Sequence, residues 1–171
     1  MIEELDPRPL LPADVFEAPD FIEPVAAYRK WRVVDGRLRS LYAQRFWFEP
    51  LQRAECHADG VRPHMAPHSG CTCGIYASHE PDCEFPTVDY RGVSGIVTVW
   101  GDIEVHADGI RAEWAQVEAL AVYDRWSHRQ IGAVREVARE LGADLIDLHD
   151  LGDAAAIYGR RLDPRLIPAD R

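Results

Sequence analysis

Residues 56–83 read C-H-A-D-G-V-R-P-H-M-A-P-H-S-G-C-T-C-G-I-Y-A-S-H-E-P-D-C, and the rest of the chain is organised around them. This stretch contains all four cysteines of the protein and four of its seven histidines. Cysteine thiolate and neutral imidazole are the ligands that Zn²⁺ prefers, and a structural site takes four of them in a tetrahedron. The stretch therefore predicts a globular domain that is held together by a structural Zn²⁺ ion.

Spacing within this stretch favours one set of four ligands. Loops of similar length separate Cys56 from His64 and His64 from the C-x-C pair, so both loops can close on one ion. The predicted metal ligands are Cys56, His64, Cys71 and Cys73. Two alternate ligands stay open: His68 could replace His64, and Cys83 could replace either cysteine of the pair.

Other uses of these side chains stay open. Four cysteines could form two disulfides, although a cytosol keeps thiols reduced. A catalytic metal needs an open coordination position and a nearby acid or base. The local acidic candidates are Glu55, Asp59, Glu80 and Asp82. The signatures of zinc deaminases and zinc proteases do not occur. A C-x-C pair near Met65 could also hold Cu(I), as a metal sensor or carrier does.

Composition restricts the class of protein. The chain has 171 residues, of which 47% are hydrophobic, so it is long enough to bury a core. It has no apolar run long enough to span a membrane, and its N-terminus is acidic, unlike a secretory signal. We therefore expect a cytoplasmic protein without a membrane partner. The net charge of −10 argues against tight non-specific binding of nucleic acid, although a local basic face is compatible with it.

Domain organisation follows from changes in composition along the chain. Residues 1–25 contain five prolines and seven acidic residues, which predicts an extended acidic arm. Residues 26–126 carry the metal-ligating stretch between runs of alternating apolar residues, and we expect them to form a zinc-containing β domain. Residues 127–171 have helical patterns and are predicted to form a helical extension that packs on the same domain.

A first β-hairpin is predicted around Asp35-Gly36, because this dipeptide favours a two-residue type I′ turn. The turn pairs Val34 with Arg37, so Trp31, Val33, Leu38 and Tyr42 share the core side. The opposite side is basic and is a candidate partner-binding face formed by Lys30, Arg32, Arg37 and Arg39. The alternative is a solvated face, or one that pairs with the acidic arm of this chain.

A second hairpin is predicted around Asp108-Gly109, with Ala107 opposite Ile110. In that register two glutamates face each other across the ladder, and a histidine and an arginine lie beside them. The candidate polar face comprises Glu104, His106, Arg111 and Glu113. Neighbouring carboxylates are typical of acid/base sites, and equally of ordinary ion-paired sheet surfaces.

Two segments of the sequence resemble a known family. The run H-M-A-P-H-S-G-C-T-C-G-I-Y-A follows A-E-C and precedes G-I-V-T-V-W-G-D-I-E-V-H-A-D-G-I-R-A-E-W-A. This arrangement resembles an uncharacterised family of actinobacterial and related Gram-positive proteins, over about residues 28–120. The resemblance implies the ligand set that the spacing favours and supplies no activity. The chain departs from the family at Ile103, Trp114 and Cys83.

The last third of the chain predicts two helices around a short strand. Ser127 and Gln130 form a capping box, and an apolar face then continues as far as Gly142. The segment A-D-L-I-D-L-H predicts a strand, and Asp150 or Asp153 can begin a second helix. A helix-turn-helix would need base-reading side chains that the second helix lacks, so we expect helices that cover one side of the sheet.

The sequence as a whole predicts an α+β fold. We expect a curved antiparallel sheet or partly open small barrel, with a zinc-bearing loop insertion and C-terminal helices. The function predicted is a zinc-stabilised, non-enzymatic interaction module that binds a protein or nucleic-acid partner. The alternatives are a metal-dependent enzyme, centred on an open zinc site or on the polar face, and a metal sensor or carrier.

Overall fold

A computed structural model describes residues 16–17, 23–41, 45–57, 60, 62–81 and 92–169. The strands in chain order are β1 (Phe16–Glu17), β2 (Val25–Val34), β3 (Arg37–Ser40), β4 (Phe46–Trp47), β5 (Leu51–Arg53), β6 (Ile75–Ser78), β7 (Gly92–Val105), β8 (Gly109–Val122) and β9 (Asp144–Asp147). The helices are α1 (His128–Leu141) and α2 (Leu151–Tyr158), with short 3₁₀ turns at Leu148–Asp150 and Pro164–Leu166.

These nine strands of the described residues form one mixed sheet that curls into a partial ring. The long strands β7 and β8 pair along most of their length, and β2 pairs with the other edge of β7. Strand β6 pairs with β8 and meets β2 at one residue pair, Tyr28 with Ser78, which closes the ring. The expected α+β fold with a partly open small barrel is confirmed.

The core lies against the two long strands. Both are rich in valine, isoleucine and alanine, residues that pack well on a pleated sheet. Val97, Val99 and Val105 are fully buried. At Gly95 the strands approach so closely that a Cβ atom would lie 2.2 Å from the carbonyl oxygen of Ala119, so only glycine fits there.

The first predicted hairpin is confirmed. Asp35 and Gly36 both have positive φ, 49° and 75°, as a type I′ turn requires. The pairing of β2 with β3 follows the predicted register from Val34 opposite Arg37 to Trp31 opposite Ser40. Tyr42, which we expected on the core side, lies outside the described residues.

The predicted register of the second hairpin is wrong by two residues. Val105 pairs with Ile110 and Glu104 pairs with Arg111, so Glu104 does not face Glu113. The reason is the turn: the N–H of His106 donates to the carbonyl of Gly109, and the connection is longer than the expected two residues. Next to the turn, from Ile103 to Val105, the two-residue shift leaves each side chain on its predicted face, because strand side chains alternate with a period of two. Beyond Ile103, bulges in the β7–β8 ladder change the register again.

The C-terminal helices pack on opposite faces of the sheet rather than on the single face that we expected. The Ser127–Gln130 capping box begins α1, whose buried face joins the larger core together with Val25 and Ala27. Helix α2 joins a second core that contains Ala26 and Tyr28. Neighbouring residues of β2 thus belong to different cores. Strand β9 follows α1 and runs parallel to β8, which gives a β-α-β connection.

The predicted arm, residues 1–25, is described at β1, where Phe16 pairs with Val105 and Glu17 pairs with Glu104, and at residues 23–25, of which Val25 begins β2. The rest of residues 1–22 lies outside the described residues. Among the helices of the described segments, none combines the length and apolar character that crossing a membrane requires.

Candidate metal centre

Four predicted ligands meet at one place. Cys56 follows β5, His64 lies in the connection after it, and the C-x-C pair of Cys71 and Cys73 leads into β6. One ligand atom from each residue lies within 4.8 Å of the other three. We call residues 56–74 the metal loop. The sheet positions its two ends, because β5 and β6 both pair with β8.

The distances between the ligand atoms fit a tetrahedral ion. Two sulfur atoms that each lie about 2.3 Å from one metal are roughly 3.8 Å apart at a tetrahedral angle. The Sγ atoms of Cys56 and Cys71 are 3.7 Å apart, and Nε2 of His64 is 3.3 Å from Sγ of Cys73. A disulfide requires about 2.05 Å. The three described cysteines are free thiols, so these four residues can hold a metal ion and do not form the alternative disulfides.

The imidazole of His64 is oriented for metal binding. Its Nδ1 lies 2.8 Å from the carbonyl oxygen of Arg62, and a hydrogen bond there places the ring proton on Nδ1. Nε2, which faces Cys73, then keeps its lone pair. Metal-bound histidines commonly donate their other ring N–H to a carbonyl or carboxylate in this way. The observation supports His64 as a ligand independently of the spacing of the sequence.

The two thiols of the C-x-C pair differ in acidity in the metal-free chain. A hydrogen bond from the backbone of Cys73 is the main cause that lowers the pKa of Cys71 to about 7. Burial is the main cause that raises the pKa of Cys73 to about 11. Both residues would bind a cation as thiolates, with release of any remaining protons.

Arg111 supports the metal loop from below. Its Nη1 donates to the carbonyl oxygens of Cys71 and Cys73, and its Nη2 forms an ion pair with Glu104. The side chains of Arg111 and Glu104 are only 6% and 8% exposed, so this ion pair is shielded from solvent. Gly74, with a φ of 125°, lets the loop pass over Arg111, because a Cβ there would lie 3.1 Å from Cβ of Arg111.

The remaining members of the predicted polar face take separate partners. Nε2 of His106 lies 3.3 Å from Nε of Arg111 and 3.8 Å from the Glu104 carboxylate. Glu113 instead accepts hydrogen bonds from Arg53, at 2.9 and 3.1 Å. The face therefore consists of a buried ion pair with an adjacent histidine and a separate surface ion pair.

His68, an alternate ligand, is not one of the four clustered residues. The ring of His68 is 4.6 Å from the ring of His64, and its Nδ1 accepts a hydrogen bond from the N–H of Gly70. His57 contacts Glu55 and Arg45 at the surface, and His79 contacts the carbonyl of His106. Cys83, Asp59 and Asp82 fall outside the described residues.

The predicted basic face lies on the outside of the β2–β3 hairpin. We call Lys30, Arg32, Arg37 and Arg39 the basic hairpin surface. Arg32 and Arg37 are exposed, whereas Lys30 and Arg39 are half-buried. Arg32 lies directly opposite Arg39, as expected. Within the described residues no carboxylate lies within ion-pair distance of these three arginines.

Aromatic residues border the basic hairpin surface. Phe46 of β4 pairs with Arg39 of β3. The next phenylalanine in the sequence, Phe48, is 66% exposed. The guanidinium carbon of Arg37 lies 5.0 Å from the centre of the Phe48 ring. Cations and an exposed aromatic ring therefore share one face of the hairpin.

Arg29 is a functional candidate that the sequence reasoning missed. It lies between Ala27 and Trp31, which both belong to the core, so the alternation of β2 directs Arg29 to the core side. Its Nη1 donates to the carbonyl of Tyr76, and its Nη2 donates to Oγ of Ser40 at 3.0 Å. The position of Trp31 in the alternating pattern was the sequence signal that could have found it.

Arg29 lines a cavity of about 1120 Å³. The cavity is bounded by β2, β3 and β6 and by the metal loop, and the side chains that line it include Ser40, Trp47, Tyr76 and Arg111. The cavity lies next to the candidate metal centre, because Cys56, Cys71 and Cys73 also line it.

Comparisons with models of protein families, with curated proteins and with solved structures found no match.

Proposed function

We propose that this chain is a non-enzymatic interaction module that is stabilised by a structural zinc ion. The observation that carries the proposal is the convergence of three thiols and one imidazole within 4.8 Å. Four protein ligands complete the tetrahedral sphere of zinc, which leaves no position for a substrate or an activated water. A metal in this centre would hold the loop together rather than perform chemistry.

Zinc suits this ligand set better than the other common metals. Thiolate and imidazole ligands in a tetrahedron are typical of Zn²⁺, whereas Mg²⁺ and Ca²⁺ take oxygen ligands. Cu(I), the ion of the sensor or carrier alternative, also accepts thiolates. Met65, its additional candidate ligand, is 60% exposed and is not one of the four clustered residues.

The polar face supports the non-enzymatic function. An acid/base carboxylate must be able to exchange protons with a substrate, but the Glu104 carboxylate is buried in an ion pair with Arg111. Arg111 in turn donates to two carbonyls of the metal loop. These contacts favour a structural role for the pair.

The basic hairpin surface is the proposed partner site, and its chemistry favours single-stranded nucleic acid. Arginines attract phosphates, and an exposed aromatic ring provides a surface on which a base can stack. Arg37 and Phe48 combine the two. The net charge of −10 would keep such binding local to this surface and sensitive to salt.

The metal is tested first, by elemental analysis of protein that was purified under reducing conditions. We expect one zinc per chain. Copper in place of zinc would support the sensor or carrier alternative, and a chain without any stoichiometric ion would contradict the proposal. A metal ion with bound water, detected by X-ray absorption spectroscopy, would favour the alternative of a metal-dependent enzyme.

The partner is tested by fluorescence anisotropy with a labelled single-stranded oligonucleotide. A variant with Arg32→Glu, Arg37→Glu and Arg39→Glu should lose binding. The matched control carries Arg125→Glu, Arg129→Glu and Arg135→Glu, which change the net charge equally at exposed positions elsewhere. Equal loss in both variants would indicate a non-specific charge effect. Binding of an acidic peptide but not of the oligonucleotide would identify a protein partner.

A further inference from the structure

Arg29 carries a buried positive charge that no described side chain neutralises. Within the described part of the chain its partners are neutral, a backbone carbonyl and the hydroxyl of Ser40. The guanidinium has five N–H donors, and Nε is buried without a hydrogen-bond partner. Buried charges are normally paired, because an isolated one loses its hydration without compensation.

The surroundings of Arg29 stabilise a cation only in part. Its guanidinium carbon lies 5.9 Å from the ring centre of Trp31 and 5.3 Å from that of Trp47. Aromatic faces attract cations but do not supply a full negative charge. The indole Nε1 of Trp31 is a second buried donor without a partner. Around Arg29 and Trp31, hydrogen-bond donors therefore outnumber the acceptors that the described residues supply.

The guanidinium is deep in the protein but accessible from the cavity. Burial lowers the pKa of Arg29 to about 10, so the group stays protonated at neutral pH. The residue is nevertheless only partly shielded from solvent, and it lines the cavity. Anything that reaches the guanidinium must enter between the hairpin and the metal loop.

We infer that this cavity binds a small organic carboxylate, with Arg29 as the residue that anchors the anion. Lys30 of the basic hairpin surface also borders this cavity, whereas Arg32, Arg37 and Arg39 do not, and the site does not depend on the proposed partner. One unpaired guanidinium matches a monoanion, and the planar edge of a guanidinium fits the two oxygens of a carboxylate.

The other three arginines that line the cavity are already paired with carboxylates, which concentrates anion binding at Arg29. Arg45 forms an ion pair with Glu55 at 2.5 Å, and Arg53 forms one with Glu113 at 2.9 Å. Arg111 is paired with Glu104. The rings of Trp47 and Tyr76 offer apolar surface for the body of the ligand.

The proposal is tested with sodium benzoate as the probe, by isothermal titration of the full chain in its metal-bound form. Benzoate should bind at one saturable site, and the neutral isostere benzamide should bind at least about tenfold more weakly, since charge-assisted hydrogen bonds contribute about that much. Inorganic phosphate should also bind more weakly. Equal affinity for benzamide, stronger binding of phosphate, or no saturable binding of benzoate would overturn the proposal.

Variants assign the binding to Arg29. Arg29→Met should weaken benzoate binding by about tenfold or more, and Arg29→Lys should have an intermediate effect, because it keeps the charge but loses the planar fork. Arg45→Met, another cavity-lining arginine but one with a carboxylate partner, is the matched control and should change affinity by less than about twofold. Unchanged affinity in Arg29→Met would overturn the assignment.

The melting temperature of the ligand-free protein distinguishes an Arg29 that anchors a ligand from an Arg29 that pairs with a carboxylate of this chain. If Arg29 lacks an internal anion, Arg29→Met should lower the melting temperature by no more than the few degrees that the loss of its two hydrogen bonds predicts. If a carboxylate of this chain neutralised Arg29, the substitution would leave that carboxylate buried and unpaired and would lower the melting temperature strongly. Such a decrease would overturn the proposal, and the Arg29→Lys titration still reports affinity if Arg29→Met fails to fold.

Discussion

The metal loop and the C-terminal helices are held to the same sheet by different forces. In the described part of the metal loop only Ala66 and Pro67 are buried, and the loop has no helix or strand of its own. Helix α1 instead buries four apolar residues and α2 buries three. The loop therefore depends on its ligand atoms and on Arg111, whereas the helices depend on apolar packing. Disturbing one region should leave the other largely intact.

Metal removal should have the largest effect. A structural zinc contributes several kcal/mol to folding, so chelation or His64→Ala should lower the melting temperature by about 10–20 °C. Hydrogen exchange should show lost protection in residues 62–78, with α1 still protected. His68→Ala is the matched control and should retain the ion. Equal loss of metal in the two histidine variants would contradict the ligand assignment.

Breaking the ion pair below the loop should have the next largest effect. Arg111→Met leaves Glu104 buried without its partner and removes two donors from the metal loop. We expect the free energy of unfolding, measured with urea, to decrease by about 3–5 kcal/mol. Adding Glu104→Gln should recover part of it, because the unpaired charge is then removed. Additive losses in the double variant would show that the two residues do not interact.

A substitution in the core beneath α2 tests the region that depends on apolar packing rather than on the metal loop. Leu151 is fully buried in the smaller core, and Leu151→Ala should cost about 2–4 kcal/mol. Its metal content should remain that of the parent chain. Loss of the ion in this variant would show that the two regions unfold together.

The smallest effect is expected at the hydrogen bond between α2 and β9. Oη of Tyr158 donates to Asp144 at 2.6 Å, and burial, followed by this contact, raises the pKa of Tyr158 to about 12. The folded pKa exceeds the unfolded value of about 10. The bond therefore contributes fully below pH 10 and is lost as the pH rises through 12.

Comparison with Tyr158→Phe measures this contribution. The stability difference between the parent chain and the variant, from urea unfolding, should be constant below about pH 9 and should decrease between pH 10 and 12. A difference that is independent of pH over this range would contradict the assignment. Both proteins contain the same other titrating groups, so the contributions of those groups to the pH dependence cancel in the stability difference.

Local patterns of the sequence predicted those parts of the molecule that are specified locally. Asp35-Gly36 fixes the first hairpin because both residues adopt positive φ. Ser127 and Gln130 fix the start of α1 through the capping box. The clustering of Cys56, His64, Cys71 and Cys73 was also predicted, since thiols and imidazoles concentrated in one stretch have few other uses.

Features that depend on the length of a turn or on long-range contacts were not predicted. The His106–Gly109 turn shifts the second hairpin by two residues, so Arg111 rather than Glu113 faces Glu104. The closing strand β6 has only four residues, too few to show a period. The separation of the helices onto two faces depends on β9, a strand that pairs with β8 across the intervening α1.

The single Tyr28–Ser78 contact that closes the ring has a consequence for the dynamics of the molecule. A seam with one ladder pair and the hydrogen bond from Arg29 to Tyr76 should separate at a far lower free energy than the long β7–β8 ladder, so we expect it to form its own unit of local opening. The amides of β6 should exchange with solvent well before those of β7 and β8. Each such opening would break the hydrogen bond from Arg29 to Tyr76 and widen the cavity at that end, which couples the local stability of β6 to access to Arg29.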